Sequence, residues 1–166
     1  MNEQLFVGVD HSLLNNGLVV LDENAKIKEK KLFGSPDSKM LMEKRLLDIM
    51  ENFKFLLELK PEIVYIEGPA FQAKGRSILE MGALHYLIRI FLFVHKINYK
   101  IIAPTTLKKF VTGSGRGKKE LMLLKVYKKF GVEFEDHNLA DAYSLARMAL
   151  EESKNARTSR GTKISS

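Results

Sequence analysis

Apolar runs separated by turn residues open the chain. Leu5 to Asp10 and Leu18 to Leu21 flank the turn signal Asn15-Asn16-Gly17 and read as two paired strands. After a second turn at Asp22-Glu23-Asn24, Ala25 to Phe33 partly alternates apolar and charged residues. That is the pattern of an edge strand, and its lysines discourage aggregation. Three strands in a meander therefore come first. Ser35-Pro36-Asp37-Ser38 breaks the pattern and can cap a helix. Leu46, Leu47, Met50, Phe53 and Leu57 then recur at helical spacing, and Pro61 ends that helix. Ile63 to Ile66 is β-branched and apolar, a buried strand, with Glu67-Gly68-Pro69 directly after it. A loop with Lys74, Gly75 and Arg76 leads into a helix from about Ser77 to His95. That helix is apolar on most sides, which places it at the centre, at a subunit interface, or both.

Tyr99 to Ala103 reads as another strand, and Pro104 can start a short helix. A glycine-rich basic loop, TGSGRGKKE, precedes a helix over Leu121 to Phe130. The acidic loop EFEDHN leads to a last helix, Leu139 to Glu151. The order βββ-α-β-α-β-α-α predicts an α/β protein whose five strands form one mixed sheet flanked by helices. Residues 1–152 read as one domain. Residues 153–166 hold Lys154, Arg157, Arg160 and Lys163 with no acid and read as a basic flexible tail.

Composition changes this picture in two ways. With 166 residues the chain is long enough for one domain with a real core. Its net charge of +7 and pI near 9.5 suit a polyanionic partner, either nucleic acid or an anionic membrane surface, and equally a solvated lysine-rich surface. The absence of cysteine removes disulfides, thiolate zinc sites and a Cys nucleophile, and fits a cytoplasmic location. The start, Met-Asn-Glu-Gln, lacks the basic region of a secretory signal. The longest apolar stretch, Ile78 to Ile97, contains His85, Arg89 and His95, so a buried helix explains it better than a membrane span.

Three acids stand at the borders of apolar elements, where a charge is least expected without a partner. Asp10 ends the first strand, Glu67 ends the fourth, and Asp141 lies in the first turn of the last helix. Taken singly, each is well explained as a turn or cap residue. In an open sheet, strand ends and helix starts are where sites assemble. Three converging carboxylates would repel each other and need a cation. Hard oxygen donors without cysteine point to Mg²⁺ or Mn²⁺.

Four segments in order carry a resemblance to a known family. They are GVDHSLLNNGLVV, YIEGPAFQAKGRSILEMGAL, PTTLKKFVTGSGRGKKE and NLADAYSLA. Together they resemble the RuvC-type Holliday junction resolvases of the RNase H-like nuclease superfamily, most of all the small phage members. The likeness covers nearly the whole chain to about Glu151. It implies an RNase H-like fold and a Mg²⁺-dependent endonuclease for Holliday junctions and other branched DNA, in the cytoplasm of a bacterial host if phage-encoded. It implies two divalent ions about 4 Å apart, held by Asp10, Glu67 and Asp141. One position departs from the family pattern. Three residues before the last Asp the family often has an acid, and this chain has Asn138. Asn138 shares a helix face with Asp141 and can offer a carbonyl oxygen but no charge. Asp136 and His137 are the neighbouring substitutes if the helix starts elsewhere.

Substrate binding has its own candidates, basic clusters that flank the proposed acids and could equally be a solvated surface. Lys118 or Lys119 would stabilise charge developing on the phosphate. Lys74, Arg76, Lys108, Lys109, Arg116, Lys118 and Lys119 would bind DNA phosphates, which gives affinity without sequence readout. The resemblance implies that Phe71 would wedge between bases at the junction centre, or else it belongs to the core. A two-fold symmetric junction calls for a homodimer, with the helix Ile78 to Val94 as its interface. Three other readings stay open. Another RNase H-like nuclease would use the same metals on a different nucleic acid. A binding module for branched DNA would have lost its chemistry, with Asn138 as the trace. An actin-like ATPase would use VDHSLLNNG as a phosphate turn, but needs two copies of the domain.

Overall fold

The computed structural model describes residues 3–69, 76–114 and 120–161. The elements run β1 (Leu5–Asp10), β2 (Asn16–Asp22), β3 (Ile27–Phe33), α1 (Met42–Glu51), α2 (Leu56–Leu59), β4 (Ile63–Glu67), α3 (Arg76–Val94), β5 (Tyr99–Ile102), α4 (Pro104–Thr112), α5 (Glu120–Phe130) and α6 (His137–Gly161). The five strands form one sheet in the order β3-β2-β1-β4-β5, so the first strand is central and the lysine-bearing β3 is an edge. β1 pairs antiparallel with β2, and β1, β4 and β5 run parallel. This is the mixed sheet that the residue pattern predicts.

Strand alternation sorts the side chains into two layers. Val7, Val9, Leu18, Val20, Val64 and Ile66 face α1 and α3, where Leu46, Ile49, Phe53, Leu84, Ile88 and Leu92 complete a core. The opposite face meets α4, α5 and α6 through Val19, Leu21, Phe6 and Tyr65. The helix α6 lies across β1, β2 and β4. It approaches the sheet closely because its inner face is small, with Ala140, Ala142, Ala146 and Ala149 buried. Two glycines complete that approach. A Cβ on Gly8 would lie 1.9 Å from the Ala142 carbonyl oxygen, and one on Gly17 would lie 2.1 Å from the Asn138 carbonyl oxygen. Neither position has room for any side chain.

Several expectations change. The helix expected before Pro61 is two helices, and its buried face is Leu46, Ile49, Phe53 and Leu56, whereas Leu47 is exposed. A one-position ambiguity in an apolar-rich stretch is resolved by the sheet it packs against, not by spacing. The last helix begins at His137 and continues past Glu151 to Gly161, so residues 153–161, read as flexible tail, are helical. Hydrogen bonds from the Thr158 and Ser159 hydroxyls to carbonyls one turn back run along that extension. Asp141 therefore stands in the second turn of α6, not the first. Among the described residues no helix is long and apolar enough to cross a membrane.

Candidate active site

The site is built by register. β1 and β4 run parallel with Val9 opposite Ile66, so the next residues, Asp10 and Glu67, end neighbouring strands at the same edge. Asp10 is also the last β1 residue in the β2 ladder, opposite Gly17. Gly17 abuts the Asn138 backbone, and two residues further along the ladder Gly8 abuts Ala142. The first turns of α6 are thereby pressed onto the strands beside Asp10. Asp141 sits on the stretch of helix between those two contacts. Register and the two glycine contacts place the backbones of Asp10, Glu67 and Asp141 at the same end of the sheet. Asp10, Glu67 and Asp141 are each partly exposed and each has an interaction partner. Among the described residues no three His, Asp or Glu side chains are gathered closely enough to hold a metal ion. The fold gathers the backbones that carry the acids, and the donor set is made of hard oxygens.

The start of α6 is settled by Asp136. Its Oδ1 accepts hydrogen bonds from the backbone N–H groups of Asn138 (2.8 Å) and Leu139 (3.1 Å), which is the work of an N-cap. Its Oδ2 accepts from the Asn15 side-chain amide at 3.3 Å. Asp136 is thus committed to the cap and does not stand in for the missing acid at position 138. That cap also ties α6 to the β1–β2 connection.

The connection itself is more ordered than a generic turn. The Ser12 N–H donates to Asn16 Oδ1 (3.1 Å), and the Asn16 amide donates to the Phe33 carbonyl (2.9 Å). The Ser12 hydroxyl bonds to Asn15 in both directions. Asn16 belongs to β2 and is fully buried. The polar side chains of this loop are thus bonded within the chain at Ser12, Asn15 and Asn16.

Two residues of this corner were not singled out as site residues by the sequence pattern. His11 follows Asp10 directly, and its Nε2 lies 3.3 Å from Nδ1 of His85 on α3. The rings stand 5.0 Å apart at 32°. Both are buried, at 7% and 4% exposure. Burial, reinforced by the neighbouring His85, pushes the His11 imidazole down to about 3. Burial also lowers His85, with the Arg89 guanidinium adding to the effect. The available clue was a histidine flanked by Leu84 and Ile88 on the buried face of a helix.

The basic residues divide. Lys108 and Lys109 lie on α4, which leaves the same edge of the sheet immediately after β5. Arg76 opens α3. Phe71, Lys74, Arg116, Lys118 and Lys119 lie outside the described residues.

Comparison with known proteins gives this corner its context. The family model for the crossover junction endodeoxyribonuclease RuvC matches residues 6–148. The chain belongs to the RuvC family. The RuvC of Carboxydothermus hydrogenoformans is 25% identical over 144 residues, covering 84% of this chain and 91% of that protein. Thermus thermophilus RuvC bound to a Holliday junction substrate superposes with a TM-score of 0.75 at 19% identity, covering 94% of this chain and 96% of the other. Fowlpox virus resolvase with its junction DNA gives 0.59 at 15% identity, covering 90% and 98%. The fold is thus the RNase H-like fold of the resolvases. RuvC-family nucleases depend on divalent metal ions. The matched span 6–148 includes Asp10, Glu67, Asn138 and Asp141.

Proposed function

We propose that this RuvC-family chain hydrolyses phosphodiesters at four-way and other branched DNA junctions, with two Mg²⁺ ions held by Asp10, Glu67 and Asp141. The observation that carries the reading is the corner itself. Parallel register sets Asp10 beside Glu67, and glycine contacts from β1 and β2 press the start of α6 against the strands at Asp10. When bound, divalent ions lower the pKa of the attacking water and stabilise the charge that develops on the phosphate. The acids supply the negative charge that attracts those ions, and the strand ends hold them on rigid backbone. Asn138 contributes a neutral oxygen one helical turn before Asp141, so this site carries one charge fewer than its relatives with an acid there. Water adds its oxygen to phosphorus, the bond to the 3′ oxygen breaks, and the 3′ oxygen leaves as a hydroxyl with the proton. Lys118, with Lys119, is placed by the reading at the developing phosphate charge. Lys74, Arg76, Lys108, Lys109 and Arg116 would neutralise backbone phosphates, and Phe71 would enter the junction centre.

The substrate has two strands to cut, which calls for two copies of the site. The outer face of α3 supports such a pairing. Leu79, Tyr86, Ile90 and Phe93 follow one another at helical spacing and are all exposed, Leu79 and Phe93 at 75%. A Cβ on Gly82, between Leu79 and Tyr86, would meet nothing within 4 Å. An apolar stripe of this length on a charged protein is a surface for a second copy, and two-fold pairing matches the symmetry of the junction.

The decisive experiment incubates the protein with an end-labelled immobile junction and a matched linear duplex, with Mg²⁺, Mn²⁺ or EDTA. Paired nicks confined to the junction, dependent on metal and absent from Asp10→Asn, are expected. Normal cleavage by Asp10→Asn refutes the assignment. Tight junction binding without cutting would favour a binding module and direct attention to Asn138→Asp.

A further inference from the structure

β1 is held to β2 as far as Asp10, whose ladder partner is Gly17. His11 is the first residue beyond that ladder. Its side chain does not turn outward with the loop. It is buried against α3, with Nε2 at 3.3 Å from His85 Nδ1. At that distance one nitrogen carries the proton and the other offers its lone pair, so the two rings are locked as a complementary pair. An unpaired buried ring nitrogen is costly, so the contact favours this orientation through His11 Nε2, while Nδ1 of the same ring is buried without a hydrogen-bond partner.

His85 is a firm anchor for that contact. Its neighbours on α3, Leu84 and Ile88, are fully buried in the core between α3 and the sheet. The far side of the same loop is fixed separately, by Ser12 and Asn16. The backbone leaving Asp10 is therefore clamped at two points, by a ring pair at position 11 and by a side-chain bond at position 12.

We propose that His85 is a positioning residue for DNA cleavage: through its contact with His11 it holds the first backbone step beyond the sheet, and with it the orientation of Asp10. The inference rests on the reading of Asp10 as a metal-holding acid. Residues that orient ligands without touching the ion commonly change metal affinity or activity by roughly 10–100-fold when replaced.

The test uses the full chain and an immobile four-way junction under single-turnover conditions. Cleavage rate is measured across a Mg²⁺ titration, junction binding in EDTA, and thermal unfolding in parallel. His85→Leu and His85→Phe both remove the nitrogen, and Phe retains a buried ring. His85→Gln restores a hydrogen-bonding group. The expected result is a roughly 10–100-fold slower cleavage by His85→Leu and His85→Phe, with half-maximal rate at a higher Mg²⁺ concentration. Junction binding stays at the wild-type level, and His85→Gln recovers most of the rate. Wild-type rate and Mg²⁺ dependence in either nitrogen-free variant would overturn the proposal. So would failure of both to fold, because the contact would then be a stability element. An Asp10→Asn protein run alongside separates the two levels. If it cleaves normally, the metal-site reading is wrong. If it is inactive while His85→Leu is normal, only the role of His85 is wrong.

Discussion

Gly17→Ala would separate the packing of α6 from every other feature of the corner. The added Cβ would sit 2.1 Å from the Asn138 carbonyl oxygen, 2.4 Å from its carbon and 2.9 Å from the Leu139 nitrogen. All three are backbone atoms of a helix, so no side-chain rotation relieves the clash. Ordinary contact begins at 3.4 Å, so the oxygen must recede by 3.4 − 2.1 = 1.3 Å if the strand stays in place. Gly17 lies on β2, which is paired on both sides by β1 and β3, and this leaves α6 as the element that moves. Overpacking of this kind costs about 1–3 kcal/mol, and a backbone clash belongs at the upper end. At about 2–4 °C per kcal/mol for a domain of this size, the melting temperature should fall by roughly 6–12 °C. The displacement also carries Asn138 and Asp141 away from Asp10. A misplacement near 1 Å can reduce turnover about 100-fold. Differential scanning calorimetry and single-turnover junction cleavage well below the new melting temperature would read both effects. A folded Gly17→Ala protein with wild-type cleavage would refute the claim that this contact sets the geometry of the site.

Other perturbations follow from the same structure. Asp136→Ala removes the cap bonds to Asn138 and Leu139 and should cost about 1 kcal/mol, read by urea unfolding, while Asp136→Ser should recover most of it. Phe93→Glu places a charge in the apolar stripe of α3 and should shift sedimentation from dimer to monomer; an unchanged sedimentation coefficient would discard that face as the interface. Glu152 gives a pH signature. Burial alone would raise its pKa, but the Lys100 ammonium and the Tyr65 hydroxyl, both bonded at 2.5 Å, draw it below the ordinary glutamate value. Its contribution is therefore present above the unfolded pKa and lost as pH falls through the folded one. Because the carboxylate is 40% exposed, the effect is at most about 1 kcal/mol. Denaturation curves at pH 7 and at acid pH should converge for wild type and Glu152→Gln as the pH drops.

The amino-acid sequence by itself determined the strands, the lysine-bearing edge of the sheet, the long apolar helix, and the three acids at element borders. These are local properties. A two-residue period, a proline stop or a β-branched run acts within a few bonds, so it can be read without knowing what lies opposite. The family likeness added the meaning of the acids, which no spacing alone conveys. Only the tertiary structure decided that Leu46, Ile49, Phe53 and Leu56, and not Leu47, face the core, since that choice depends on where the sheet lies. The same holds for Asp136, which reads as a possible ligand until its bonds to Asn138 and Leu139 show a cap. The His11–His85 contact spans 74 positions and joins a turn to a helix. The glycines at 8 and 17 look like ordinary strand interruptions until α6 is laid over them. In each case the deciding energy is a close contact between segments far apart in the chain. Such contacts leave no periodic trace, because either partner alone would be equally at home elsewhere.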